Sequence, residues 1–258
     1  MEFAWDDAGR GLPVVLLHAF PLDRRMWDPQ RAALARGYRV ITPDFRGHGE
    51  SAVPEEDSTM ERLAEDLRGL LEALRLEPVV LGGLSMGGYA AFAFLRRYPA
   101  RVRALILADT RAGADTEEGR QARLENAALA ERAGSAAIAE RLLPKLLGAS
   151  THVGNPQLVA MVREMILSTS PAGIARALRG MAARPDSTPL LAAIQVPTLV
   201  LVGEEDVLTP PAEAQALAGA IPGAKLERIP AAGHLSNLEQ PACFTAALEE
   251  FLASLRGR

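Results

Sequence analysis

The chain has 258 residues, 48 % hydrophobic and 23 % charged, which is an ordinary globular composition, long enough for one core carrying an insertion or for two small domains. A formal net charge of -4 without a dense Lys/Arg run leaves no basic face, so nucleic acid is not an expected partner. Cys243 is the only cysteine, which excludes an internal disulfide and a Cys-x-x-Cys metal or redox site, suits a reducing compartment, and is expected to be a small buried residue.

In chain order, the N-terminal MEFAWDDAGRG carries acids where an export signal needs a basic start and an apolar run, so a cytoplasmic location is expected. Glu2 to Trp5, a turn through Asp6 to Gly11 and the run Val14 to Leu17 predict an edge hairpin leading into a fully apolar strand. That strand ends at His18-Ala19-Phe20-Pro21. Arg39 to Thr42 predicts a second strand, which stops at the turn-rich loop from Pro43 to Ser51. A helix is predicted over about Thr59 to Leu74, with Ser58 or Thr59 as N-cap and Leu63, Leu67, Leu70, Leu71 and Leu74 on one face. Val79 to Leu81 is the next strand, and Tyr89 to Tyr98 a helix ended by Pro99. The uncharged stretch Pro78 to Leu95 reaches membrane length, yet its glycines and strand-to-helix pattern mark it as buried core, so no membrane partner is expected.

Ala104 to Ala108 gives a further apolar strand, followed directly by Asp109. Strands too apolar to be half exposed, alternating with helices, predict the α/β class: a mostly parallel sheet with helices on both faces. From about Arg111 to Pro189 no β-branched run of strand length occurs, and Ala, Leu, Arg and Glu dominate, which predicts a helical insertion. Alternation resumes with Pro197 to Val202, a helix near Ala212 to Ala220, Lys225 to Ile229 and a last helix near Pro241 to Leu255. The predicted organisation is therefore a core in two parts, 1–110 and 190–258, with a helical cap at 111–189.

Gly83-Leu84-Ser85-Met86-Gly87 lies between the strand and the helix and matches the Gly-x-Ser-x-Gly nucleophile elbow, a strained turn that lifts a serine oxygen above the sheet. A serine hydroxyl needs a base to take its proton, usually a histidine held in one tautomer by a carboxylate. His234 follows the last strand, Asp206 follows the strand before it, and the carboxyl ends of parallel strands share the edge where Ser85 emerges. Asp109 ends a strand at the same edge and competes for the acid role; Glu204 and Glu205 are weaker competitors. Acyl transfer also needs two donors aimed at the developing oxyanion. The backbone N–H of Met86, at the start of a helix, supplies one, and the N–H of Phe20 is the simplest second, since Pro21 has none. His18 and His48 are read as loop architecture.

The segments HAFPL, DFRGHGES, GLSMGG, GEEDVLTP and AAGHLSNLEQP, spanning residues 18 to 241, resemble the landmarks of the α/β-hydrolase superfamily, in the small esterase and lactonase branch that includes 3-oxoadipate enol-lactonases, carboxylesterases and non-haem perhydrolases. The resemblance implies an eight-stranded sheet in which Val14 to Leu17 is the third strand and Ala104 to Ala108 the sixth, a cap inserted after the sixth, and no cofactor; no metal-binding residues are nominated. It favours Asp206 over Asp109 through the spacing Gly203 to Pro210. Ala19 stands where many relatives have glycine, a change expected to narrow the oxyanion loop. Leu142, Leu143, Leu146, Leu147, Met161, Met165, Ile166 and Met181 of the cap are candidates for an apolar pocket, and Trp27 and Phe45 for its wall, with packing as the default role for most of them. The implied activity is hydrolysis of a small carboxylic ester or lactone through an acyl-enzyme. Carbon-carbon hydrolysis, perhydrolysis and elimination use the same constellation, and a ligand receptor on this fold is the reading from a different class. Oligomeric state is not legible.

Overall fold

The computed structural model describes residues 3–76 and 78–255. Among them one sheet contains seven strands: β1 (Trp5–Gly9), β2 (Pro13–Leu17), β3 (Arg39–Pro43), β4 (Val79–Leu84), β5 (Val102–Ala108), β6 (Thr198–Gly203) and β7 (Lys225–Ile229). Their spatial order is β1-β3-β2-β4-β5-β6-β7, and every neighbouring pair is parallel except β1 with β3. The apolar runs take the centre because both their faces are covered. Val15 and Leu17 enter the cluster with α2 and α3, whereas Val14 and Leu16 enter the cluster with α1 and α10 on the opposite face, the period-two alternation of a strand.

The helices are α1 (Asp28–Leu34), α2 (Met60–Leu74), α3 (Met86–Arg97), α4 (Glu117–Leu146), α5 (Ala149–Gly154), α6 (Pro156–Ser168), α7 (Pro171–Ala182), α8 (Pro211–Ala220), the single turn α9 (Ser236–Glu239) and α10 (Pro241–Ser254). The predicted second helix forms for the anticipated reasons. Thr59 is its N-cap, with its side-chain oxygen 3.3 Å from the Arg62 N–H, and Leu63, Leu67, Leu70 and Leu71 are buried. Each of these leucines contributes about 2 kcal/mol of burial, and the helix stops at Arg75 in the left-handed region. Between β5 and β6 the chain forms α4 to α7, with α4 kinked at Gly134.

Several expectations are corrected. The sheet has seven strands among the described residues, not eight, so Val14 to Leu17 belongs to the second strand and Ala104 to Ala108 to the fifth. The N-terminal hairpin does not form: β2 is paired on both sides, by β3 and β4, and Asp6 to Gly9, expected as a turn, instead continues β1 along β3. Glu2 lies outside the described residues. Parallel neighbours β2 and β3 require a crossover, and the short helix α1, preceded by a 3-10 turn at Arg24–Trp27, supplies one that the sequence pattern did not announce. Cys243 is exposed, because α10 turns its neighbour Phe244 into the core instead. Among the described residues no single helix is long and apolar enough to cross a membrane.

Candidate active site

Ser85 stands between β4 and α3 with φ 55° and ψ -112°, a conformation that costs a non-glycine residue about 1–3 kcal/mol unless its surroundings impose it. They do so here. The Ser85 N–H donates to the carbonyl of Ala108 at 3.0 Å, and its own carbonyl accepts from the Thr110 hydroxyl at 2.9 Å. A Cβ at Gly87 would overlap the backbone carbonyl of Leu17, so glycine is what lets the first turn of α3 press against the end of β2. As the first residue of α3, Met86 has an N–H without an acceptor inside the helix. Phe20, on the loop after β2, lines the same cavity as Ser85.

The histidine and the carboxylate reach the same edge from β7 and β6. A turn closed by the Asp206 N–H on the Gly203 carbonyl aims Asp206 at the loop carrying His234. At Gly203 a Cβ would strike the carbonyls of Ala232 and Gly233, so this glycine lets the two loops touch. His234 Nδ1 lies 2.8 Å from Asp206 Oδ2. The same oxygen accepts from the Thr209 hydroxyl at 2.6 Å, and Oδ1 accepts from the N–H groups of Leu208 and Thr209 at 2.8 and 2.9 Å. Burial pushes the Asp206 pKa up, but His234 beside it and these donors outweigh burial and hold it below the usual carboxylate value.

Asp109, the competing acid, is fully buried elsewhere. It accepts from the Gly203 N–H at 2.8 Å and from the Ser236 hydroxyl, and burial together with the nearby charge of Asp206 raises its pKa well above the usual range. Glu204 is exposed, and Glu205 accepts from Ser150. His18 Nε2 accepts from the Phe45 N–H at 2.9 Å, and His48 packs against His18 with ring centroids 5.1 Å apart. Both belong to loop packing, and burial lowers their pKa values, to about 4 and about 3.

Glu239 was not singled out in the sequence. Its Oε1 accepts from the N–H groups of Gly233 and Leu235, either side of His234, at 2.9 and 3.2 Å. Its Oε2 accepts from Gly148 N–H at 2.7 Å and the Thr151 hydroxyl at 2.6 Å, where α4 passes into α5. One buried side chain thus ties the histidine loop to the inserted helices.

Ser85 and His234 open on a cavity of about 150 Å3 shared with Phe20, Tyr89, Leu208 and Thr209. The inserted helices complete it with Ala122, Arg123, Asn126, Leu142 and Leu146 of α4 and Leu178 and Met181 of α7. Of the apolar cap candidates, Leu142, Leu146 and Met181 line this cavity. Leu143, Leu147, Met165 and Ile166 pack in the core on the α1/α10 side of the sheet, and Met161 is exposed. Trp27 does not line the cavity: it is 1 % exposed and packs 6.0 Å, centroid to centroid, from Phe244. Phe45 likewise packs on His18. Among the described residues no cluster of three His, Cys, Asp or Glu has the arrangement to hold a metal ion.

The family model for the alpha/beta hydrolase fold matches residues 13–241, and the chain belongs to that family. Its relatives lie in the esterase and lactonase branch. The chain is 33 % identical over 243 residues to 3-oxoadipate enol-lactonase 1 of Acinetobacter baylyi, covering 94 % of this chain and 89 % of that one. A thermophilic esterase from Thermogutta terrifontis, solved with malate bound, superimposes with a TM-score of 0.96 at 50 % identity, covering 98 % of this chain and 93 % of that one. The enol-lactonase from Burkholderia xenovorans gives a TM-score of 0.90 at 32 % identity, with coverage of 97 % and 96 %.

Proposed function

We propose that the chain is a serine hydrolase that cleaves a small carboxylic ester or lactone through an acyl-enzyme formed on Ser85. The observation that carries this reading is the 2.8 Å contact of His234 Nδ1 with Asp206, made by a histidine that opens on the same cavity as Ser85. An ionised carboxylate only accepts, so this contact favours the tautomer with the proton on Nδ1 and leaves Nε2 as the base. His234 takes the hydroxyl proton of Ser85 as the oxygen attacks the carbonyl carbon. The oxyanion that develops is received by the N–H groups of Met86 and Phe20. The protonated imidazole, stabilised by Asp206, returns its proton to the leaving alcohol. Water then attacks the acyl-enzyme with His234 again as base, and the acid is released.

Helices α4 to α7 act as the cap in this reading, and the cavity sets the substrate's size. A cavity of about 150 Å3 holds a group of about six carbon atoms, the volume of a benzene ring, so short acyl chains are the expected substrates. The test is turnover of p-nitrophenyl esters from acetate to octanoate by wild type and Ser85→Ala, with labelling by a fluorophosphonate probe. The expected result is a maximum at short acyl length, a loss on the order of a million-fold in the variant, and labelling of the wild type only. Wild-type turnover retained by folded Ser85→Ala overturns the reading.

A further inference from the structure

We propose that Thr169, where α6 gives way to α7, is a positioning residue for the oxyanion hole: its hydroxyl grips the tip of the loop after β2 and so aims the Phe20 N–H. The inference rests on the hydrolase reading of Ser85 with Phe20 as an oxyanion donor, and it assigns what holds that donor in place.

The loop folds back on itself over Ala19 to Leu22. The Leu22 N–H donates to the Ala19 carbonyl at 3.0 Å. The same carbonyl lies 2.9 Å from His18 Nδ1, which carries the proton because Nε2 accepts from the Phe45 N–H. A peptide unit is planar, and in its trans form the N–H points opposite to the C=O. With the Ala19 carbonyl turned to these two donors, the Phe20 N–H points the other way, and it donates to no acceptor among the described residues.

The next peptide unit obeys the same rule. Its N–H, that of Leu22, is directed at Ala19, so its C=O, that of Pro21, faces away from the turn and accepts from the Thr169 hydroxyl at 2.9 Å. Pro21 has no N–H of its own to anchor the tip, and no other donor reaches its carbonyl among the described residues. Two rigid planes joined by the Leu22–Ala19 bond therefore link the Thr169 hydroxyl to the Phe20 N–H.

Thr169 is itself fixed. It is buried, its N–H donates to the Ile166 carbonyl at 3.2 Å, and its carbonyl accepts from the hydroxyl of Ser135, beside the kink at Gly134. A hydroxyl has one proton to give. The alternative acceptor, the Met165 carbonyl, is farther away at 3.3 Å and already accepts from the Ser168 hydroxyl at 2.8 Å. The proton of Thr169 accordingly goes to Pro21. Thr169 does not line the cavity, so whatever it contributes to rate passes through the loop. Arg25 and Ser168 join the same two segments by an exposed contact of 2.9 Å, which supplies the control.

The test uses p-nitrophenyl butyrate as substrate and propyl trifluoromethyl ketone as a mimic of the tetrahedral intermediate. Ser85 Oγ adds to the ketone carbon, the serine proton passes to His234, and the ketone oxygen becomes the oxyanion. Losing an oxyanion donor outright costs about 10^2- to 10^3-fold, so a misaimed one in Thr169→Val should lower kcat roughly 10- to 100-fold. KM should change by less than about threefold, and the Ki of the ketone should rise in proportion to the fall in kcat/KM. The acid limb of the kcat/KM profile, set by His234, stays in place. Thr169→Ser recovers most of the rate, and Ser168→Ala behaves as wild type. Should Thr169→Val not fold, Thr169→Ala decides: it admits a water to the Pro21 carbonyl, which eases folding without holding the loop, and the same proportional changes are expected. A folded variant with wild-type kcat, a raised KM alone, a Ki that does not follow the rate, or a shifted acid limb overturns the proposal, while wild-type turnover leaves the hydrolase reading standing. A wild type that neither turns over the ester nor binds the ketone overturns the hydrolase reading and the proposal with it.

Discussion

Glu239→Ala should destabilise the protein more than any ordinary surface change, because one side chain satisfies four donors at a buried junction. Removing it strands the N–H groups of Gly148 and Gly233 and the hydroxyl of Thr151, while the Leu235 N–H keeps the Leu146 carbonyl at 3.2 Å. A buried donor left without a partner costs about 1–3 kcal/mol. Two amides and one hydroxyl at the low end of that range give about 3 kcal/mol, allowing for water entering the space. For a chain of this size about 3 kcal/mol lowers Tm by roughly 10 °C. Glu239→Gln keeps one carbonyl oxygen but turns an NH2 group towards other donors, so it should fall between Ala and wild type. Glu205 is the internal control: it accepts from the N–H and hydroxyl of Ser150 in the same helix, but at an exposed contact. Glu205→Ala should therefore cost about 1 kcal/mol or less. The assay is thermal unfolding followed by circular dichroism, with ester turnover measured alongside. Because Gly233 and Leu235 flank His234, kcat should fall in Glu239→Ala even at temperatures where the variant is fully folded. A Tm within about 2 °C of wild type would refute the argument that this side chain locks the histidine loop to the inserted helices.

Asp206→Asn should lower kcat by about 10^3- to 10^4-fold, since an amide NH2 cannot hold the Nδ1–H tautomer; a loss under about tenfold in steady-state kinetics would move the acid role away from Asp206. Stability should also depend on acid through the two buried loop histidines. His18 and His48 have pKa values lowered by burial to about 4 and about 3 from an ordinary 6.5, so below about pH 6.5 the unfolded chain binds protons that the folded chain refuses. Their contribution is full above about pH 6.5 and is lost as pH falls towards 4 and then 3, at about 1.4 kcal/mol per pH unit for each group. Tm measured between about pH 7.5 and 4.5 should fall accordingly, with a shallower slope in His18→Gln; a flat profile in wild type contradicts the assignment.

What could be read from sequence was what depends on nearest neighbours along the chain. Ser85, Asp206 and His234 each follow an apolar run by a few residues, so their shared edge follows from strand polarity alone. The Thr59 cap and the leucine face of α2 are equally local. The misreadings arise where pairing or packing partners are distant. Nothing in Trp5 to Gly9 says that its partner is Arg39–Pro43 and not the adjacent Val14 to Leu17. Trp27 follows the loop after β2 in sequence, but the 3-10 turn capped by Asp23 rotates it into the core against Phe244. Cys243 looks buried by composition and is exposed by one step of helical phase. Arg123 was not legible because it resembles every other arginine on α4; only the meeting of α4 with α7 and Asp115 separates it from its neighbours. Glu239 lies within a quoted motif, but its partners Gly148 and Thr151 are 91 and 88 residues away.

The same distinction accounts for the rigidity of the site. Three non-glycine residues at the carboxyl edge have positive φ: Ser85 at 55°, Asp109 at 44° and Ala231 at 50°. Ser85 and Asp109 directly follow β4 and β5, and Ala231 lies two residues beyond β7. Such conformations persist only where the surroundings over-determine them, and here the sheet does so by extending its hydrogen bonds past the strands themselves. The Ser85 N–H donates to Ala108, that of Asp109 to Leu201, that of Glu204 to Ile229 and that of Glu205 to Ala232, each reaching the neighbouring chain segment at 2.8 to 3.0 Å. The ladder therefore runs one or two residues into the loops after β4, β5, β6 and β7, which carry Ser85, Asp109, Asp206 and His234. Strain at Ser85 is held by β5, the turn before Asp206 is held by β7, and the position of Ser85 relative to His234 is fixed by backbone bonds of the core. The inserted helices contribute the other half, the shape and charge of the space above. A change in α4 should accordingly alter which substrate is accepted, whereas a change at Thr110 or Gly203 should alter how well any substrate reacts.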